Sequence, residues 1–170
     1  MMKNLFQILC GLFLVVSYSS CMHSEEDKVD VLIIGGGASG VTSGIQSARM
    51  GANTLILEES TWLGGMLTSA GVSAVDGNYR LPAGLWGEFK NRLSDYYGGL
   101  DSLKTGWVSN VLFEPSVGNK ILHEMVAAEN NLKVWKQACL EEVKRTGDEW
   151  VAKVKVEGQG VKTVRAKVMI

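Results

Sequence analysis

Short apolar runs and amphipathic stretches alternate along the chain, and their order predicts its elements. Residues 31–34 and 54–57 form two short apolar runs, each typical of a strand buried on both faces of a parallel sheet. Between them, Val41, Ile45 and Ala48 recur at helical spacing. This part of the chain is therefore predicted to form a strand, a turn, a helix and a second strand.

Two more helices are expected further along the chain. One is predicted over 81–97, where apolar residues fall on one face, and the glycines at 98 and 99 would end it. Residues 100–113 have no clear period and are predicted to be an irregular connection. Another helix is predicted to begin at Pro115, because the missing N–H of proline costs nothing in a first helical turn.

The C-terminal third of the chain has the period of strands. A short strand is predicted over 132–135, followed by strands over 140–144, 150–156 and 161–170. Turn residues separate the last three, so they are expected to form a three-stranded β-meander. The whole pattern predicts an α/β fold, with a parallel sheet built on a βαβ unit and a meander beside it.

The turn after the first strand is rich in glycine. Gly35, Gly36 and Gly37 follow the strand directly, and Gly40 comes three residues later at the start of the helix. Gly35 would allow a sharp turn, Gly37 would let a pyrophosphate approach the backbone, and Gly40 would let the helix pack closely. The first N–H groups of that helix have no internal partner and attract phosphate.

An acidic residue follows at the spacing typical of a dinucleotide site. Glu58 lies 18 residues after Gly40, at the predicted end of the second strand. Its carboxylate could accept hydrogen bonds from the two hydroxyls of a ribose and would disfavour a 2′-phosphate. These features predict a Rossmann-like dinucleotide-binding unit, and a glycine-rich turn in another kind of α/β domain is the alternative.

Composition narrows the class of protein. With 170 residues, 46% of them hydrophobic and 21% charged, the chain is expected to be globular. The net charge is −1 and the sequence has no basic block, so nucleic acid is not an expected partner. No cysteine or histidine spacing typical of a metal site is present.

The N-terminal residues resemble a bacterial lipoprotein signal peptide. Lys3 precedes an apolar stretch over 5–16, and small polar residues lead to Cys21, which would carry the lipid. Tyr18 departs from that pattern, because such signals usually have an aliphatic residue there. We therefore predict a signal peptide over 1–20 and an acidic tether over 21–28. The chain would be exported and anchored through Cys21 at the outer membrane, cell surface or periplasm. Plain secretion after nearby cleavage and a retained N-terminal anchor are the alternatives.

Cys139 would then be the only cysteine of the mature domain apart from the lipidated one. One free thiol cannot form an intramolecular disulfide. Cys139 is expected to be a small buried apolar residue rather than a nucleophile.

A second glycine pair, Gly64 and Gly65, follows Glu58, and Met66, Thr68 and Gly71 extend this segment of small and apolar residues. Such a pair would let another backbone segment approach the same extended ligand. Ordinary NAD-binding folds lack a pair at this point, and a plain turn is the alternative.

Together, the two glycine motifs and the acid resemble the FAD-dependent oxidoreductases of the glutathione-reductase-like superfamily, whose relatives include fumarate reductase flavoprotein subunits. The resemblance implies an FAD-binding domain over 29–170 with FAD as cofactor, and backbone near Leu140 would border the adenine. Glu59 is a rival of Glu58 for the ribose. The other implied cofactor contacts are Gly35, Gly37, Ala38, Ser39, Gly40, Gly64, Gly65, Met66 and Thr68.

The resemblance covers only the N-terminal portion of a family member. The expected closing motif of the flavin site and the substrate domain do not follow, so the domain is predicted to be incomplete. No catalytic acid, base or nucleophile is identified, the small-molecule substrate is unknown, Trp107 is a weak candidate for a pocket wall, and His123 is expected to be solvated or in the core. The alternatives are an NAD-dependent oxidoreductase and a non-catalytic surface lipoprotein that retains the fold.

Overall fold

A computed structural model describes residues 26–107 and 109–170 of the chain. The signal peptide predicted over 1–20 and the lipidation site predicted at Cys21 lie outside the described residues. The described chain contains three α-helices: α1 (Ala38–Arg49), α2 (Gly84–Tyr97) and α3 (Pro115–Ala127). Its strands are β1 (Glu26–Ile34), β2 (Thr54–Glu58), β3 (Ala74–Val75), β4 (Val111–Leu112), β5 (Leu132–Lys136), β6 (Ala138–Thr146), β7 (Glu149–Val156) and β8 (Gly160–Met169).

Six of the strands form one sheet in the order β5-β2-β1-β8-β7-β6. The first strands are parallel, with Leu32 opposite Leu55 and Leu55 opposite Lys133. Strands β6, β7 and β8 are antiparallel neighbours, and β8 also pairs with β1 in parallel. The predicted α/β fold, with a βαβ unit and a three-stranded meander, is confirmed.

The two faces of the central strands bury two different cores, because successive side chains of a strand point to opposite sides. Ile33 and Ile56 lie in a cluster that includes apolar residues from all three helices. Leu32, Leu55 and Leu57 lie in a second cluster that includes residues from β7 and β8. The helices and the meander therefore cover opposite faces of the central strands.

The first strand is longer than its apolar run indicates. It begins at Glu26, because its first residues pair with β8, and the Glu26 carboxylate lies 2.6 Å from the Arg165 guanidinium. Residues 26–28, which the sequence assigned to an acidic tether, therefore belong to β1. The opposite end of the strand is not buried on both faces, since Ile34 is 38% exposed.

The middle of the chain also differs from the prediction. Helix α2 begins at Gly84 rather than at residue 81, because Pro82 disfavours helical backbone at the residue before it. The connection after α2 is not wholly irregular. It contains a 3₁₀ turn (Leu100–Leu103) and strand β4, which pairs with β3 in a separate two-stranded sheet. Among the described residues, no helix has the length and apolar character needed to cross a membrane.

Candidate functional site

The glycine turn after β1 packs tightly against the start of α1. Gly35 has a φ of +101°, which L side chains rarely adopt, and its N–H donates to the Leu57 carbonyl at 2.8 Å. A Cβ added to Gly40 would lie 1.9 Å from the Gly35 carbonyl oxygen. The sequence assigned Gly40 to close helix packing, and the structure shows that the surface it packs against is the turn itself.

The amino end of α1 is open. Its N-cap residue, Gly37, supplies no side-chain cap, and the first turn contains no acidic residue. The Val41 N–H is the first to close a helical hydrogen bond, with the Gly37 carbonyl at 2.9 Å. The N–H groups of Ala38, Ser39 and Gly40 therefore have no acceptor within the helix, and the helix dipole adds positive potential around them.

Space for a ligand lies beside this helix end. A Cβ built on Gly37 would meet no protein atom within 4 Å, so the backbone at that point faces open space. Its φ of −64° is one that any residue could adopt. Neither backbone strain nor packing within the protein therefore requires glycine at this position. A ligand whose phosphates approach the backbone closely would require it, because a side chain there would be in the way.

The second glycine pair lies directly against the first turn. The Gly64 N–H donates to the Gly36 carbonyl at 2.8 Å, and Gly37 and Gly64 form a parallel bridge. A Cβ on Gly65 would lie 3.1 Å from the Gly37 Cα. The second glycine pair thus brings another backbone segment against the first turn, and its approach to the same ligand stays a prediction.

The interior of the protein holds this second segment in position. The Leu63 N–H donates to the Asn119 side-chain oxygen of α3 at 2.9 Å, and the Thr68 hydroxyl donates to the Leu63 carbonyl at 2.5 Å. Thr68 is only 1% exposed, so its hydroxyl supports the turn instead of projecting toward a ligand. Met66 is 68% exposed and contributes surface at the same segment.

Glu58 links the two parts of the site. One of its carboxylate oxygens accepts the Gly36 N–H at 2.7 Å, and the other accepts the Ser60 N–H at 2.8 Å. A carboxylate has about four lone-pair positions, so each oxygen retains one for a further donor. Glu58 therefore fixes the glycine turn and can still accept hydrogen bonds from ribose hydroxyls.

A cavity of about 320 Å³ extends from the glycine turn past Glu58 to the meander. The structure brings Gly35, Glu58 and Leu140 together around this cavity, although 105 residues of sequence separate the first from the last. This is the arrangement expected of an adenosine site. The complete lining is Ile34, Gly35, Leu57, Glu58, Glu59, Ala138 and Leu140.

Cys139 is exposed, so the prediction that it is a buried apolar residue is wrong. In strand β6 its neighbours Ala138 and Leu140 turn toward the second core, and Cys139 turns outward beside β2. Its thiol donates to the Glu59 carboxylate at 3.5 Å. This hydrogen bond and the nearby negative charge raise the pKa of the Cys139 thiol above its ordinary value.

Two other expectations concern residues outside this cavity. Trp107 is fully exposed, so its side chain is not enclosed by the described residues, and its role as a pocket wall stays a prediction. His123 is half-buried on α3, in agreement with the expectation for it. Burial, assisted by the positive charge of Lys136, lowers the pKa of the His123 imidazole.

Sequence reasoning missed three residues that shape the site. Gly36 donates to Glu58 and would clash with Leu63 and with Glu58 if it carried a Cβ. Ala138 lines the cavity, and Asn119 positions the second glycine segment. The unbroken run of three glycines was an available signal for Gly36. An asparagine on a helix and an alanine at a strand end carried none.

The parallel βαβ unit, the open helix end and the acid after β2 define a Rossmann-like dinucleotide-binding domain. The chain belongs to the FAD dependent oxidoreductase family, whose sequence model matches residues 30–170. Comparison with curated protein sequences found no match.

Solved structures share the fold. A flavoprotein/dehydrogenase from Cytophaga hutchinsonii has a TM-score of 0.61 at 16% identity, covering 84% of this chain and 38% of its own. A geranylgeranyl bacteriochlorophyll reductase-like protein from Thermoplasma acidophilum has a TM-score of 0.52 at 20% identity, with coverages of 85% and 38%. The flavin-dependent monooxygenase PieE, solved with FAD and substrate, has a TM-score of 0.52 at 13% identity, with coverages of 84% and 29%. The chain thus spans less than two fifths of each of these proteins.

The residues present fit FAD, the cofactor of this family. The uncapped amino end of α1 and the open space at Gly37 suit a pyrophosphate, and Glu58 offers acceptors beside a cavity. The second glycine segment extends the contact surface beyond what adenosine and phosphates need. The cofactor predicted from the sequence is therefore confirmed.

Proposed function

We propose that this chain is the N-terminal, FAD-binding portion of an exported oxidoreductase that transfers hydride or electrons to or from a small-molecule substrate. The observation that carries the proposal is the contact between the two glycine segments, which places two backbone surfaces beside one open helix end. Within the wider family, we assign the chain to the glutathione-reductase-like group with fumarate reductase flavoproteins among its relatives, because its motifs resemble theirs.

Each part of the site has a separate role in holding the cofactor. The free N–H groups of Ala38, Ser39 and Gly40 would bind the pyrophosphate, and Gly37 would leave room for it. Glu58 would bind the ribose, and the backbone near Leu140 would border the adenine.

The segment from Gly64 to Thr68 would continue along the cofactor toward the flavin. Gly64 and Gly65 would supply the backbone surface there, Met66 would supply an exposed apolar side chain, and Thr68 would keep the segment in place from inside. FAD supplies the redox chemistry when it is bound, and this chain's residues position it.

The negative charges of Glu58 and Glu59 favour a cofactor without a 2′-phosphate. Both carboxylates border the cavity, but only Glu58 is tied to the glycine turn. Glu59 is exposed and bonded to the Cys139 thiol. We therefore assign the ribose contact to Glu58 and a supporting electrostatic role to Glu59.

Ligand-induced thermal stabilisation would test this function. The chain is heated with FAD, NAD, ADP or FMN at equal concentrations, and the shift in melting temperature is converted to an affinity. FAD and ADP should both stabilise the chain, with FAD binding more tightly than NAD. FMN contains the flavin ring without adenosine and should give no shift. Tighter binding of NAD than of FAD, or no stabilisation by any adenine nucleotide, would contradict the proposal.

We further propose that the chain is exported and lipid-anchored through Cys21. The support is the sequence alone: one early cation, a short apolar stretch and a cysteine followed by acidic residues. Metabolic labelling with a palmitate analogue in a bacterial host would test it. Cys21→Ala should abolish labelling and Cys10→Ala, the matched control, should not. Equal labelling of both variants, or none in the unaltered chain, would contradict the anchor.

A further inference from the structure

A second cavity, of about 230 Å³, lies away from the glycine turns, between α2, the segment before it and the 3₁₀ turn after it. It shares no lining residue with the cavity at Glu58. Its lining divides into a polar group with three cations and an apolar group of three aliphatic side chains. The polar group is Tyr79, Arg80, Lys90, Lys104 and Asn110, and the apolar group is Leu100, Leu103 and Val111.

Lys90 is the unusual member of this lining. It is only 8% exposed, and lysine is rarely buried to this extent without an opposite charge. Its ammonium donates to the carbonyls of Tyr79 and Leu81, both at 2.9 Å. It forms no salt bridge with any carboxylate in the described part of the chain. Two of its three N–H groups are thus satisfied and its ammonium lies 5.9 Å from the centroid of the Trp86 ring, but no carboxylate of the described residues neutralises its charge.

Two more cations stand at the same cavity. Arg80 donates from Nε to the Tyr79 hydroxyl at 3.1 Å, and its terminal nitrogens form no hydrogen bond with the described residues. Lys104 pairs with Asp101 at 2.8 Å, but Asp101 is almost fully exposed and does not line the cavity. Asp76, the acidic residue that precedes Tyr79 in the sequence, accepts a hydrogen bond from the Ser109 hydroxyl.

The charge balance at the cavity is therefore positive. Arg80, Lys90 and Lys104 give three positive charges, and Asp76 and Asp101, both outside the lining, offset at most two of them. Three cationic side chains that line one small cavity make its potential positive, which favours a bound anion. An arginine fork is suited to the two oxygens of a carboxylate.

We propose that this cavity binds a small organic carboxylate. The cations would meet the carboxylate group, and the side chain of Leu100, which is 49% exposed, would meet its carbon skeleton. This exposed aliphatic side chain is the reason for choosing an organic carboxylate over inorganic phosphate, which would leave it without a contact. The assignment does not depend on the proposed cofactor function.

Titration by NMR tests the site directly. Sodium butyrate is added to the 170-residue chain at constant ionic strength, and backbone amide shifts are followed. Butyramide, which has the same skeleton without the charge, and inorganic phosphate, which has charge without a skeleton, are titrated in parallel. We expect saturable shifts centred on Tyr79, Asn110 and Val111 with butyrate, and none of that pattern with butyramide or phosphate.

Variants separate this site from general surface charge. Arg80→Gln and Lys104→Gln change exposed side chains, so the fold should persist, and each should weaken butyrate binding roughly tenfold. Lys133→Gln removes an exposed lysine of β5 and is the matched control, which should bind as the unaltered chain does. Lack of saturation, equal binding of phosphate, or equal weakening in all three variants would overturn the proposal.

Discussion

Replacing Gly40 with alanine tests whether the glycine turn really packs against the helix as the structure has it. The new Cβ would lie 1.9 Å from the Gly35 carbonyl oxygen, whereas real Cβ contacts essentially never fall below 3.0 Å. Helix and turn would have to separate by the difference, 3.0 − 1.9 = 1.1 Å, at least. The obstacle is backbone, and the Gly35 N–H is bonded to Leu57 in the sheet, so neither side can rotate away.

The cost follows from two opposing effects. Overpacking of this kind costs about 1–3 kcal/mol, and a backbone obstacle puts Gly40→Ala at the upper end. The gain in helix propensity from glycine to alanine returns about 1 kcal/mol. We therefore expect a net loss of roughly 2 kcal/mol in the free energy of unfolding, or about 4–8 °C in melting temperature for a domain of this size.

Urea unfolding followed by tryptophan fluorescence measures this loss, with Gly37→Ala as the matched control. Gly37 lies at the same helix end, but its added Cβ would meet nothing within 4 Å at an ordinary φ of −64°. Gly37→Ala should lie within about 1 kcal/mol of the unaltered chain, because the gain from a less flexible unfolded chain is offset by the poorer N-cap. If Gly40→Ala proved as stable as Gly37→Ala, the close approach of turn and helix would be wrong.

Three further changes have expected outcomes. Glu59→Gln should lower the pKa of the Cys139 thiol and speed its alkylation by iodoacetamide at pH 8. Mass spectrometry of the peptide that contains Cys139 measures the alkylation rate, and an unchanged rate would exclude the thiol–carboxylate hydrogen bond. The pKa of His123 is below the ordinary 6.5, so the unfolded chain binds more protons, and the free energy of unfolding should fall as the pH drops below about 6.5. In unfolding experiments at several pH values, His123→Gln should reduce this dependence of stability on pH. An identical dependence in the variant would contradict the reasoning. Asn119→Ala should cost about 1–3 kcal/mol in urea unfolding because the N–H of buried Leu63 loses its acceptor, and a neutral result would show that this bond is unimportant.

Local signals in the sequence were sufficient for the βαβ unit and the meander. Helix α1 begins at Ala38 and β2 ends at Glu58, where the glycine and acid spacing indicated. The meander strands were found because their turns contain glycine and their period is two. Strand pairing explains why strands are longer than their sequence patterns indicate. Strand β1, for example, begins at Glu26 because it pairs with β8, which is far away in sequence.

Long-range contacts explain the failures. Cys139 has the apolar character of a core residue, and its exposure depends on which face of β6 meets the second core. Thr68 is buried because of the fold of the turn around Leu63, and its predicted cofactor contact stays a prediction. The cationic cavity around Lys90 could not be found from the sequence, because α2, the segment before it and the turn after it come together only in the folded chain.

The central claim is that the cofactor's pyrophosphate occupies the open space at Gly37, and FAD binding by Gly37→Ala tests it most directly. This variant should fold with a stability within about 1 kcal/mol of that of the unaltered chain. Its FAD affinity should nevertheless fall by roughly 10- to 100-fold, as expected when a charge-assisted contact worth about 1.5–3 kcal/mol is blocked. FAD binding as tight as that of the unaltered chain, in a variant of equal stability, would contradict the account.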